Sequence, residues 1–169
     1  AFAWTARLRI ASNLDRLGDT DDAIRELKAM SLENQTRTDA LIRMGNIQQR
    51  HKRYRDSSKS YDEAKARIPE LKPQHWRLLY STGISYERLK EWPKAEKNFL
   101  KALELQPGQP NVLNYLGYSW VEQGLHLDRA QAMIRTAVKK RPRDGYIIDS
   151  LGWVLYRLGK MKEAVKQME

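Results

Sequence analysis

The sequence predicts an all-α fold in which one helix-turn-helix unit is stacked about five times. Three observations carry that expectation. A small residue recurs in the middle of every predicted first helix, as Ala11, Gly45, Gly83, Gly117 and Gly152. A second small residue recurs early in every predicted second helix, as Ala23, Ser57, Ala95, Ala130 and Ala164. The two columns keep step along the chain at a period near 34 residues, and helices come close only where no bulky side chain holds them apart.

The first unit spans roughly residues 4–37. Trp4, Leu8, Ile10, Leu14 and Leu17 mark its first helix, and Gly18 supplies the left-handed residue that ends it. Asp19, Thr20 and Asp21 offer capping oxygens to the second helix, whose buried stripe is Ala23, Ile24, Leu27 and Met30. In the second unit, 38–75, Leu41, Ile42, Met44 and Ile47 form one stripe. Tyr54, Tyr61, Ala64 and Ile68 form the other, stopped at Pro69. Four additional residues around Leu71 to Gln74 predict a longer connection there.

The third unit, 76–109, is a strong match, with Leu79, Gly83, Tyr86, Trp92, Ala95, Phe99 and Ala102 in phase. Pro93 suits a helix first turn, where a missing N–H costs nothing. The fourth, 110–144, runs from Pro110 through Leu116, Gly117, Trp120, Gly124, Ala130 and Ile134, with one extra residue near Leu125 to Asp128. The fifth, 145–169, carries Ile148, Leu151, Gly152, Leu155, Gly159, Met161 and Ala164 and stops before its second helix is complete. The chain opens on AFAW without an initiator methionine, as expected of a piece of a longer protein read here as one repeat array.

These columns resemble the tetratricopeptide repeat: a bulky residue, Leu-Gly, an aromatic, a turn glycine, then Ala, an aromatic, Ala and Pro. The resemblance implies antiparallel helix pairs wound into a right-handed superhelical solenoid, here of about five units with the last truncated. It also implies a non-catalytic scaffold whose concave groove is lined by the first helix of each pair. The last two units, NYLGYSW and DGYIIDSLGW, are similar to long repeat lipoproteins of bacterial envelopes, which favours a periplasmic or outer-membrane-associated setting over the cytoplasm.

On that geometry the groove candidates fall in three groups. The early units offer Thr5, Ser12, Arg16, Asp39, Asn46, Gln49 and Arg50. The middle offers Arg77, Tyr80, Glu87 and Arg88. Later come Asn111, Asn114, Tyr118, Tyr146, Asp149, Trp153, Tyr156 and Arg157. An arginine repeats at one column as Arg16, Arg50, Arg88 and Arg157, with Glu122 the exception. Family members that grip the C-terminal carboxylate of chaperone tails place basic residues where this chain has Leu8, Ile42 and Tyr80. Only Asn46 fits, which argues against that role.

Composition narrows the function classes. There is no cysteine, so disulfide, thiolate-metal and cysteine-nucleophile chemistry are excluded. His51, His75 and His126 lie in different units without ligand partners at metal spacing, and no phosphate loop or nucleophile elbow occurs. No cofactor, metal or catalytic site is therefore expected, and no apolar run is long enough to span a membrane. The net charge of +10 favours acidic partners. The basic clusters Arg50 to Arg55 and Lys139 to Arg143 fall at turns, not on one continuous face, which disfavours nucleic acid.

The expectation is a scaffold that binds a peptide or helical segment of a protein partner. Two alternatives stand beside it. One is a basic surface for nucleic acid or anionic lipid. The other is a homo-oligomer formed through the apolar face of the last unit, around Val154, Leu158, Val165 and Met168.

Overall fold

The computed structural model describes residues 2–168, the side chain of Met168 excepted. Every regular element among them is helical. The helices run in order as α1 (Phe2–Leu17), α2 (Thr20–Glu33), α3 (Asp39–Arg50), α4 (Tyr54–Ala66), α5 (Trp76–Arg88) and α6 (Trp92–Leu105), with α1 packed on α2 and α3 on α4. Then come α7 (Pro110–Glu122) with α8 (Leu127–Lys140), and α9 (Gly145–Arg157) with α10 (Met161–Met168). Of the four additional residues expected before α5, Pro73 and Gln74 fall in a short 3-10 turn, Pro73–His75. The extra residue in the fourth places His126 in the left-handed region, at φ 45°.

Each first helix ends in the same way. A residue one or two steps past the helix takes a positive φ each time: Gly18 one step on, and Lys52, Lys90, Gly124 and Gly159 two steps on. The next residue's N–H reaches back five positions, from Asp19, Arg53, Glu91, Leu125 and Lys160 to Leu14, Gln48, Tyr86, Trp120 and Leu155, at 2.8–2.9 Å. This double-turn closure satisfies carbonyls that a helix end otherwise leaves open, and glycine adopts it with least strain. The capping expected from the side chain of Asp19 is not made. Thr20 instead donates to Asp15, and Asp21 pairs with Arg53, so these oxygens serve contacts between elements.

The small-residue columns have the physical role the spacing suggests. A Cβ on Gly45 would lie 2.5 Å from the ring of Tyr61, and one on Gly117 would lie 2.8 Å from Ile134. The bare backbone of α3 is thus pressed against α4, and that of α7 against α8.

The chain divides into two compact units, Ala1–Asn98 and Phe99–Glu169, with the boundary inside α6. In the first unit, α3 lies against both α1 and α2, and α5 against both α3 and α4. Leu8, Ala11, Leu27, Met30, Leu41, Met44, Ile47, Tyr61 and Leu78 make one continuous core across these helices. Removing such side chains from water is the main favourable term, near 1.5–3 kcal/mol for each large one. In the second unit α9 rests on α7 and α8, with Leu113, Ala137 and Ile147 packed together and flanked by Leu103, Met133 and Val138.

Candidate functional site

In the first unit the faces of α1 and α3 that turn away from α2 and α4 frame a cleft of about 410 Å³. Its lining is Ser12, Arg16, Asp39, Ile42, Arg43, Asn46 and Arg50. Five of these are groove candidates from the sequence: Ser12, Arg16, Asp39, Asn46 and Arg50. Arg43 was not among them, although the spacing 39, 43, 46, 50 is one unbroken helical stripe and could have found it.

The cleft is built by polar contacts that run between pairs. Arg43 Nη1 donates to Ser12 Oγ at 2.5 Å, and that hydroxyl donates on to the Leu8 carbonyl at 3.0 Å. Asp39 accepts the Trp4 indole N–H at 3.0–3.1 Å and an Arg37 N–H at 2.5 Å. Asn46 Oδ1 accepts the Tyr61 hydroxyl at 2.8 Å, leaving its amide N–H₂ on the exposed side of α3.

Behind the cleft sits a buried carboxylate. The Asp15 side chain is 4% exposed and gathers three donors: Arg50 at 2.9 Å, His51 Nε2 at 2.8 Å and Thr20 Oγ1 at 2.9 Å. A carboxylate out of water needs this many partners to remain charged. His51 lies on the surface and is tied into this junction.

The remaining first-unit candidates are largely engaged within the fold. Gln49 Nε2 donates to Ser81 O and Ser85 Oγ, both at 2.8 Å, and so fastens α3 to α5. Arg77 stacks over Trp76 at 4.8 Å, and the Tyr80 ring lies 6.1 Å from the same indole. Arg88 sits 3.4 Å from Glu87. Burial raises the Glu87 carboxyl above its usual value against the smaller opposing pull of Arg88.

In the second unit, Asp149, Gly152, Trp153 and Tyr156 of α9 and Met161, Ala164 and Val165 of α10 line an apolar hollow of about 290 Å³. Glu122 of α7 orients its rim. It accepts the Trp153 indole N–H at 2.6 Å and an Arg157 N–H at 3.4 Å. Trp153 and Tyr156 stack with centroids 5.4 Å apart and planes 21° apart. Glu122 breaks the arginine column because it is the counter-charge to Arg157.

The other second-unit candidates differ in surroundings. Asn111 accepts from Arg141 at 3.0 Å. Asn114 is 1% exposed, with its amide oxygen buried and unbonded. Tyr118 is half-buried and Tyr146 is exposed. Of the expected apolar face, Val154 is fully buried in the pair's own packing, Leu158 is half-buried and Val165 is 57% exposed. The side chain of Met168 lies outside the described residues.

Among the described residues no group of three or more His, Cys, Asp or Glu is placed to hold a metal ion. Nor is any described helix long and apolar enough to cross a membrane.

Helix pairs closed by one repeated turn geometry are the build of a helical repeat protein. Residues 76–109 match the sequence model of the tetratricopeptide repeat, and the fold of the whole chain is that of tetratricopeptide-repeat proteins. A curated relative is the TPR repeat-containing protein PA4667 of Pseudomonas aeruginosa. It is 30% identical over 96 residues, which are 57% of this chain and 16% of the relative, so the chain spans only about one sixth of its length. Among solved structures, a MamA fragment from Desulfovibrio magneticus RS-1 superposes with a TM-score of 0.84 at 18% identity, covering 97% of this chain and 90% of that one. YrrB, described as a TPR protein with an unusual peptide-binding site, superposes with a TM-score of 0.74 at 17% identity, covering 95% and 80%. At these identities the likeness concerns the fold alone.

Proposed function

We propose that the chain is a non-catalytic binding scaffold that holds an extended or helical segment of a partner protein against the first-helix faces of its repeats. The observation that carries this reading is the cleft between α1 and α3. It is concave and polar, and its wall residues are steadied by contacts from behind. Such preorganisation lowers the ordering cost of binding. The peptide-binding site in the description of YrrB, a protein of the same fold, is consistent with it.

The test is selection of a random dodecapeptide phage library on the 169-residue chain, followed by calorimetric titration of the enriched peptides. Arg16 is exposed and outside the core, so Arg16→Trp fills the cleft without disturbing packing. Enriched peptides that bind saturably, and at least tenfold more weakly to Arg16→Trp, support the scaffold reading. If no peptide is enriched, or all bind the variant equally well, the reading fails. Arg50 is unsuitable for this purpose, because its charge balances buried Asp15 and its loss would disturb the fold.

Self-association has an observation of its own. Met161 is 54% exposed, Val165 57% and Tyr156 49% around the apolar hollow of the second unit. Sedimentation velocity from 5 to roughly 200 µM tests it, a range matched to micromolar affinities. A dimer lost in Val165→Asp supports this reading, and a monomer throughout rejects it. The basic-surface alternative has less to stand on. Arg50 and His51 of the first cluster are bound to Asp15, and Arg53 is bound to Asp21.

A further inference from the structure

We propose that copies of this chain join head to tail, with the outward stripe of α1 in one copy docked on the apolar hollow of α9 and α10 in the next. The inference rests on the self-association reading above and adds which second surface meets the hollow.

The α1 stripe is exposed where later first helices are covered. Ala6, Ile10, Asn13 and Leu17 fall on one helical face. Asn13 is exposed, and so are Ile10 at 54% and Leu17 at 79%. In α3, α5 and α9 the Ile10 column holds Met44, Thr82 and Leu151, all buried. The Asn13 column holds Ile47, Ser85 and Val154, buried as well. The fold supplies the cause: α3 lies against α1 and α2, α5 against α3 and α4, and α9 against α7 and α8. No helix precedes α1 among the described residues, so its stripe lacks that contact.

The hollow is the matching half. Tyr156 and Val165 in its lining are exposed. In α7 and α8 the same two columns hold Val121 and Gln131, both buried, and this is the pair on which α9 rests. Where the chain itself supplies a cover for this kind of face, the cover is a first helix. The one first helix with its stripe uncovered is α1, so a second copy carries the fitting piece.

Contacts between consecutive pairs set the register. Gln49 of α3 donates to the Ser81 carbonyl and the Ser85 hydroxyl of α5, both at 2.8 Å. Tyr156 occupies the Gln49 column, and Arg9 and Asn13 occupy those of Ser81 and Ser85. A docked α1 therefore brings Asn13 to the Tyr156 hydroxyl. Ser12 accepts from Arg43 at 2.5 Å. Their counterparts across the copies are Trp153 and Arg9, and a guanidinium over an indole face is a favourable pair. Ile10 and Val165 leave water together at the centre of this contact. The interface is heterologous, so each docking leaves one stripe and one hollow open and assembly does not stop at a dimer.

Sedimentation velocity of the whole chain from 5 to roughly 200 µM reads the outcome. The weight-average coefficient of the unsubstituted chain should climb with concentration beyond that of a dimer. Ile10→Asp spoils the stripe and Val165→Asp the hollow. Both positions are exposed, so the core is spared. Each variant alone should associate at least about tenfold more weakly. An equimolar mixture should recover a dimer, one copy of each, and nothing larger, because one intact face of each kind remains. That recovery also shows that both variants are folded. Leu125→Asp, in an exposed turn apart from both faces, should assemble like the unsubstituted chain.

If Ile10→Asp still dimerises while Val165→Asp does not, hollow meets hollow: self-association stands and the head-to-tail proposal falls. A mixture that stays monomeric overturns the proposal, as does an equal loss in Leu125→Asp. A monomer at every concentration overturns both, and the phage selection decides the scaffold reading independently.

Discussion

Gly45→Ala sets two physical effects against each other. In the middle of α3, alanine gains about 1 kcal/mol over glycine in helix propensity. Against this, the new Cβ would stand 2.5, 2.7 and 2.9 Å from three ring atoms of Tyr61. Reaching ordinary contact requires the ring to retreat by about 1 Å. Tyr61 is fully buried, and its hydroxyl is anchored on Asn46 at 2.8 Å. Overpacking of this kind costs roughly 1–3 kcal/mol, and straining the tyrosine hydrogen bond adds about 1 kcal/mol. The balance is a net loss of roughly 2 kcal/mol once the propensity gain is subtracted. Urea unfolding followed by circular dichroism reads this as a lower midpoint with unchanged slope. Gly145, with nothing within 4 Å of its would-be Cβ, is the control, and Gly145→Ala should not destabilise. If Gly45→Ala left the midpoint unchanged or raised it, close helix approach would not explain the small-residue column.

Other consequences can be measured in the same way. Asp15→Ala removes the carboxylate that holds Arg50, His51 and Thr20 together in a buried junction and should lower stability by about 2–3 kcal/mol in urea melts. Lys90 holds a φ of 60°, and Lys90→Gly should raise stability by roughly 0.5–1 kcal/mol. Burial holds the Glu87 carboxyl above its usual value, so its ionisation opposes folding. Its contribution to stability should therefore improve as pH falls from above the raised folded value towards the ordinary one. Glu87→Gln should stabilise by roughly 0.5–1 kcal/mol at pH 7, with the advantage gone near pH 4 in parallel melts.

Much of the fold was legible because stacking leaves a periodic trace. The columns at Gly45 and Gly117 and the five turns are local rules repeated, and a local rule survives in one dimension. The second and third turns show the limit of that reading. Lys52 and Lys90 occupy the same left-handed position as Gly18 and Gly124, but nothing in a lysine signals a positive φ. Legibility was poorer at the site. The partners of Asp15, at positions 50 and 51, lie about one repeat away in sequence and meet it only through packing. Gln49 has the composition of a binding residue but is spent on α5. Asn114 lies on a first helix yet is almost wholly buried. A 3.6-residue period says which face a residue shares, not whether a neighbouring helix covers it.

The central claim, that the first-helix faces bind a partner segment and do so best at the cleft between α1 and α3, is tested most directly by amide chemical-shift mapping. The isotope-labelled chain would be titrated with the tightest peptide from the phage selection. The account predicts the largest shifts at residues 12–16 and 42–50. Shifts confined to residues 139–145, or to α9 and α10 with α1 and α3 unmoved, would contradict it.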